Sequence, residues 1–320
     1  IGPCNRFLKH LQIAKSRGMK VMAKLQLAST HELASVPYIP VPFNVAEKMS
    51  GLRKHEVNGF LGCWNMGGEL SPMTRLAGKM SRVPTLSPIQ ALRETAVEEF
   101  GEDVADDVLK AWKLFSEGWK EYPISGDFTW NSPISYAPAF YFPVEVPEKP
   151  SVCTFAHMPL PRDPEGHLNV TSYYLPNWAS PFGVERTGKA LTLLLNKWEQ
   201  GLAIMGNVTR QHPGNSKLLI EFNLASHIAL SVRSTVNVLR FYTLLPQLKA
   251  AGKTRSKITG ELKSILKDEI EIARQDMPLL LADPRLGYHP EAHSQHFTCK
   301  DLEYKIKYIQ QTLNKKENIP

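Results

Sequence analysis

Apolar and polar positions alternate along residues 19–28, M-K-V-M-A-K-L-Q-L-A. Val21, Ala23, Leu25 and Leu27 fall on one face, and Lys20, Met22, Lys24 and Gln26 on the other. A period of two predicts a strand. Ahead of it, Phe7, Leu8, Leu11 and Ala14 keep a helical period that stops at Arg17-Gly18, a basic residue followed by glycine. Residues 29–42 follow as a loop in which Pro37, Pro40 and Pro42 exclude helix. Val45, Met49 and Leu52 then predict a helix over 44–54. Residues 57–64 form a short apolar run that breaks at Gly67-Gly68, and a helix over 73–80 comes next. Helix, strand, helix, strand and helix in that order require parallel pairing through a crossover. The polar face of the first strand is expected to look into a barrel interior.

The texture changes after residue 84. Ser87-Pro88-x-Gln90 reads as a capping box with proline at the first helical position. Leu92, Ala96 and Phe100 continue that helix, and Val104, Val108, Trp112, Phe115 and Trp119 make a second apolar stripe, read as core. Residues 123–181 are rich in proline and aromatics, too apolar for a disordered linker. An ordered irregular segment is expected there, covering the helices and walling a pocket. Four long amphipathic patterns follow over 183–206, 216–245, 256–281 and 298–313, the last with Thr298 and Asp301 placed as N-cap and N3. Short connections between them predict antiparallel neighbours in a bundle. The predicted organisation is a partial β/α barrel over 1–84, two helices with the proline-rich segment over 85–182, and a helical bundle over 183–320.

Composition narrows the class. With 42% hydrophobic and 22% charged residues among 320, the chain buries an ordinary globular core. Its net charge of +7 is spread along the sequence, and no basic face with interleaved aromatics points to nucleic acid. No apolar run approaches the ~20 residues of a membrane span. No cationic start followed by an apolar core marks a signal peptide. Cys4, Cys63, Cys153 and Cys299 are far apart and make no C-x-x-C, which argues against a cysteine zinc site. Cys63, within the second apolar run, reads as an inert core thiol. No G-x-G-x-x-G or Walker sequence occurs, and no cofactor is expected.

Three runs carry a family resemblance: Pro37-Tyr38-Ile39-Pro40, the stretch G-F-L-G-C-W-N-M-G-G-E-L-S-P over 59–72, and A-D-P-R-L-G-Y over 282–288. Together, and in this order, they resemble bacterial glycoside hydrolase-like proteins with a hexosaminidase-related barrel and a C-terminal helical region. His31 and Gly67-Gly68-Glu69-Leu70 depart from the family pattern, which has an aromatic and Gly-Gly-Tyr-Pro there. The resemblance implies α/β plus all-α architecture: the last β/α units of a TIM-type barrel, then a helical bundle. A whole barrel takes about 250 residues, so it also implies that this is the C-terminal part of a longer chain. On that view the chain supplies one wall of a cleft for an oligosaccharide or glycoside. The main catalytic carboxylates belong to the missing N-terminal barrel, which is the expected partner. A non-catalytic carbohydrate-binding or helical interaction module is the alternative.

Candidate chemistry is placed accordingly. Glycoside hydrolysis needs two carboxyls about 5–5.5 Å or 6.5–9.5 Å apart, and Glu32 and Glu69 both follow predicted strands. They are equally read as loop carboxylates. Trp64 at a strand end offers a flat face to a pyranose ring, Asn65 a donor and an acceptor beside it, and His31 and Tyr38 further wall groups. His289, His293 and His296, in Y-H-P-E-A-H-S-Q-H, are spaced by four and three, which puts three imidazoles on one face if the segment is helical. The string is not H-E-x-x-H, and Pro290 limits helix. Asp283 and Arg285 are expected to pair across Pro284.

Overall fold

A computed structural model describes residues 3–28, 31–62, 70–83, 85–250 and 252–314. The elements are α1 (Asn5–Ser16), β1 (Met22–Lys24), α2 (Pro42–Lys54), β2 (Gly59–Leu61), α3 (Pro72–Arg82), α4 (Pro88–Phe100), α5 (Glu102–Trp119), α6 (Gly126–Asn131), α7 (Pro176–Ala179), α8 (Val184–Gln211), α9 (Ser216–Leu244), α10 (Arg255–Ala282), β3 (Tyr288–His289), β4 (Ser294–Gln295) and α11 (Cys299–Asn314). Helices dominate. The strands make two small sheets, β1 parallel to β2 and β3 antiparallel to β4.

The expected barrel is not there. β1 and β2 pair in parallel but over three residues each, Met22 opposite Gly59, Ala23 opposite Phe60 and Lys24 opposite Leu61. Leu25 and Leu27 then donate to the carbonyls of Leu61 and Gly62, and the ladder goes no further. Barrel strands are flanked on both sides, and among the described residues this pair has no third strand. Burial agrees: Ala23 is buried, whereas Lys20, Met22 and Lys24 are exposed, so the polar face meets solvent and not a barrel interior. A three-residue ladder buries too little to organise a domain, and the core is built by helices instead. The stretch around Trp64 lies outside the described residues.

Two compact units divide the chain. One comprises Ile1–Thr30, Pro37–Lys120 and Asn196–Ala225; the other His31–Val36, Glu121–Leu195 and Ser226–Pro320. In the first, Ser87 caps α4, and Gln90 reaches back to its backbone, as the sequence predicts. Gly101, at φ 99°, turns the chain directly into α5, whose first turn carries Glu102 and Asp103 against the helix dipole. The aromatic stripe of α5 is core: Trp112 and Phe115 are fully buried, and Phe115 stacks on Trp198 of α8 at 4.4 Å. Gly201 permits that approach, since a Cβ there would lie 2.5 Å from the Phe115 ring. Glu221 is a buried carboxylate that accepts hydrogen bonds from Tyr38 Oη and Trp112 Nε1.

In the second unit the proline-rich segment is ordered. It runs through α6, single 3₁₀ turns at Pro133–Ser135 and Ala137–Ala139, and α7. Phe128, Tyr136, Phe140, Phe142 and Trp178 of this segment are fully buried. Three polar residues of α9 find partners on α10: His227 with Asp276 at 2.6 Å, Arg233 with Asp268, and Asn237 with Asp268 and Glu269. Lys305 of α11 is fully buried and donates to Glu269 and to the carbonyls of Ala137 and Pro138. At the start of α11, Thr298 donates through both its N–H and its Oγ1 to the Asp301 carboxylate, and Asp283 pairs with Arg285 through two bonds of 2.8 and 2.6 Å.

Candidate metal centre

Within the second unit, three separate segments are pinned so that histidines and one glutamate converge. The segment His31–Val36 is held from three sides. Tyr122 Oη donates to the Glu32 carbonyl at 2.7 Å, Ala34 N donates to Ser135 Oγ at 2.9 Å, and Gly287 N donates to the Ser35 carbonyl at 2.9 Å. A loop of the proline-rich segment brings His157. Ala156 N donates to the Trp130 carbonyl, and Thr154 and Thr171 exchange backbone-to-hydroxyl bonds of 2.7 and 2.8 Å. The third segment is the β3–β4 hairpin, with Tyr288 opposite Gln295 and His289 opposite Ser294. Its base needs glycine. Gly287 has φ 79°, and a Cβ there would lie 2.6 Å from the Phe297 carbonyl oxygen.

The string 289–296 is therefore a hairpin and not a helix. His293 sits exposed at its turn with φ 49°, while His289 and His296 are buried. With no helix there, His289, His293 and His296 do not share one face; a different set of residues converges. Glu291 Oε2 lies 3.6 Å from His157 Nδ1 and 3.8 Å from His31 Nδ1. The three ligand atoms of His31, His157 and Glu291 are all within 4.8 Å of one another. The rings of His31 and His157 stack at 5.3 Å. Donors bound at 2.0–2.1 Å in a tetrahedron are about 3.3 Å apart, so small side-chain movements bring this set to bonding distance.

His157 is buried, and neither ring nitrogen has a hydrogen-bond partner. Leaving such groups unsatisfied costs free energy, and native interiors rarely do so without a reason. Two more imidazoles continue the cluster: His289 lies edge-on to His157 at 5.1 Å, and His296 is 4.6 Å from His289. His289 Nδ1 accepts from the backbone N–H groups of Glu291 and Ala292 at 3.1 and 3.2 Å. Its Nε2 is buried with no partner, and the buried His296 ring is approached by the Met158 backbone. Burial, reinforced by His157, lowers His289 to about 4. Burial, reinforced by His289 and His157, lowers His296 to about 3. Both rings are neutral near pH 7. Arg162 flanks them, bonded to the His296 carbonyl and to Asp301.

Of the candidates from sequence, His31 joins this cluster as a ligand-type residue, and His289 and His296 line it. Glu32 is engaged through its carbonyl by Tyr122. Tyr38 is buried in the first unit, where its Oη donates to Glu221. Trp64, Asn65 and Glu69 lie outside the described residues. Sequence reasoning missed His157 and Glu291. Glu291 stands inside the histidine string already singled out, and the turn-forming Pro290 before it was the available signal. No family model matches the chain, and no curated protein or solved structure matches it with significance.

Proposed function

We propose that this protein binds a divalent transition-metal ion, zinc by ligand type, through His31, His157 and Glu291. The observation that carries this reading is His157. It is a buried imidazole with both nitrogens unbonded, 3.6 Å from a carboxylate oxygen that a second imidazole also approaches. Imidazole and carboxylate donors suit zinc, copper, iron and nickel. Two histidines and one glutamate leave a coordination position for an exogenous ligand, the arrangement of catalytic rather than structural zinc. Chelator-stripped protein titrated with zinc in a calorimeter is expected to bind close to one equivalent. His157→Ala and Glu291→Gln should each weaken binding at least a hundredfold, and His293→Ala, at the exposed turn, should leave it unchanged. Equal affinity in wild type and His157→Ala would remove the reading.

A second reading keeps an oligosaccharide as ligand, as the family resemblance implies. Trp130 and Phe155 are both exposed, their ring centres are 6.1 Å apart, and Phe155 is 6.1 Å from His157. Exposed aromatic faces beside a polar cluster favour stacking on the C–H face of a sugar ring. Tryptophan fluorescence titrated with chitohexaose and cellohexaose tests it. A response in the wild type that is lost in Trp130→Ala supports the reading, and no response to either sugar ends it.

A further inference from the structure

We propose that the coordination position left open by His31, His157 and Glu291 takes an oxyanion, a carboxylate or phosphate oxygen, and that His289 is its hydrogen-bond donor. This inference rests on the metal reading above and names the ligand class of that site.

Two independent features carry it. The first is a tautomer. The Nδ1 of His289 accepts two backbone N–H groups, from Glu291 and Ala292. A nitrogen that accepts holds a lone pair, so in the neutral ring the proton sits on Nε2. That Nε2–H is buried in a residue only 2% exposed and has no acceptor. Its neighbour His296 makes no hydrogen bond to it. A buried imidazole whose Nδ1 is fixed as an acceptor by two backbone N–H groups presents its Nε2–H as an oriented donor, an arrangement for stabilising negative charge on an oxygen.

The second feature is charge. A divalent ion with one carboxylate and two neutral imidazoles keeps a formal charge of about +1, beside a buried His157 and part-exposed His31 and Glu291. An anionic oxygen cancels it; a neutral ligand does not. The same turn serves both purposes. Glu291 offers its carboxylate to the metal set and its backbone N–H to His289, so the donor is oriented by the residue that holds the ion.

The test uses the full chain loaded with cobalt(II), whose visible spectrum reports its ligands. Sodium acetate and sodium phosphate are titrated separately, which distinguishes the two sources of anionic oxygen. The wild type is expected to respond to at least one of them. In His289→Ala, which also removes the acceptor of the Glu291 and Ala292 N–H groups, affinity for that anion should fall at least tenfold further than cobalt affinity does, and His289→Gln, whose amide keeps a donor, should recover part of the anion affinity. A normal cobalt spectrum that responds to neither anion, or an undiminished response in His289→Ala, overturns the oxyanion proposal alone. No cobalt spectrum in the wild type overturns the metal reading and this one with it. Should His289→Ala fail to fold, long-range proton–nitrogen spectra of the zinc-loaded wild type decide. His289 as the Nε2–H tautomer, with that proton shifting on addition of the anion, supports the proposal, and the Nδ1–H tautomer overturns it.

Discussion

At the scale of single residues, the second unit keeps ionisable groups in its core and satisfies them unequally. Lys305 and Glu269 have fully buried side chains, and the pair is completed by Ser234, Asn237 and two carbonyls. Breaking it from one side strands a charge. Lys305→Met is expected to destabilise by about 3–5 kcal/mol in urea unfolding, and Lys305→Met with Glu269→Leu to regain much of that. A loss under 1 kcal/mol for the single variant would show that the carboxylate finds other compensation. His296 is the opposite case, a buried imidazole with no charged partner among the described residues to stabilise its protonated form, facing His289, His157, the Met158 backbone and Arg162. Its folded value, about 3, lies below the ordinary histidine value of 6.5. Protons therefore favour the unfolded chain across that window. The His296 contribution is complete above about pH 6.5 and is lost as the pH falls toward 3. Urea midpoints measured from pH 7 to pH 4 should fall less steeply in His296→Gln than in the wild type, and parallel slopes would contradict this.

At the scale of elements, the β3–β4 hairpin positions Glu291, one of the three proposed ligands, and His289 beside it. Gly287→Ala should cost about 2 kcal/mol or more, from left-handed backbone strain and the contact with the Phe297 carbonyl. It should also weaken zinc binding at least tenfold without touching a ligand. Ser87→Ala removes the α4 cap, should cost about 1 kcal/mol, and should leave zinc affinity unchanged. Calorimetry on both variants separates a positional effect from general loss of stability. These two elements also mark what could be read in advance. The α4 start is written in four consecutive residues, Ser87 to Gln90, because a cap is a local contact, and Thr298 with Asp301 is another such case. The histidine string was noticed, but spacings of four and three fit either a helix or a hairpin. The deciding constraints, the Gly287 turn and its bond to Ser35, are long-range. The alternation in residues 19–28 does mark a strand. A period of two says which face is apolar; it does not say how many neighbours the strand has, and the barrel implied by the family resemblance needs more strands than β1 and β2 provide.

At the scale of the molecule, all three proposed ligands lie in one unit. A ligand that binds only the folded form stabilises it by about 2.7 kcal/mol at a free concentration of 100 Kd. Zinc should therefore raise the thermal midpoint of the second unit, and hydrogen exchange should show the added protection there rather than around Trp112 and Phe115 of the first. Uniform protection across both units, or none, would contradict the placement. Architecture was legible in helices and opaque in assembly, since His31, His157 and Glu291 carry no mutual signature in the sequence.

Those three residues have a consequence in time. They come from the early, middle and late parts of the chain, so bringing them together closes two long loops, and contacts of that kind form late and slowly. A nascent chain has no such site until Glu291 has been made and the hairpin closed. Metal uptake, followed as the rise of cobalt colour during refolding, would then be a clock for the last stage of folding of the second unit.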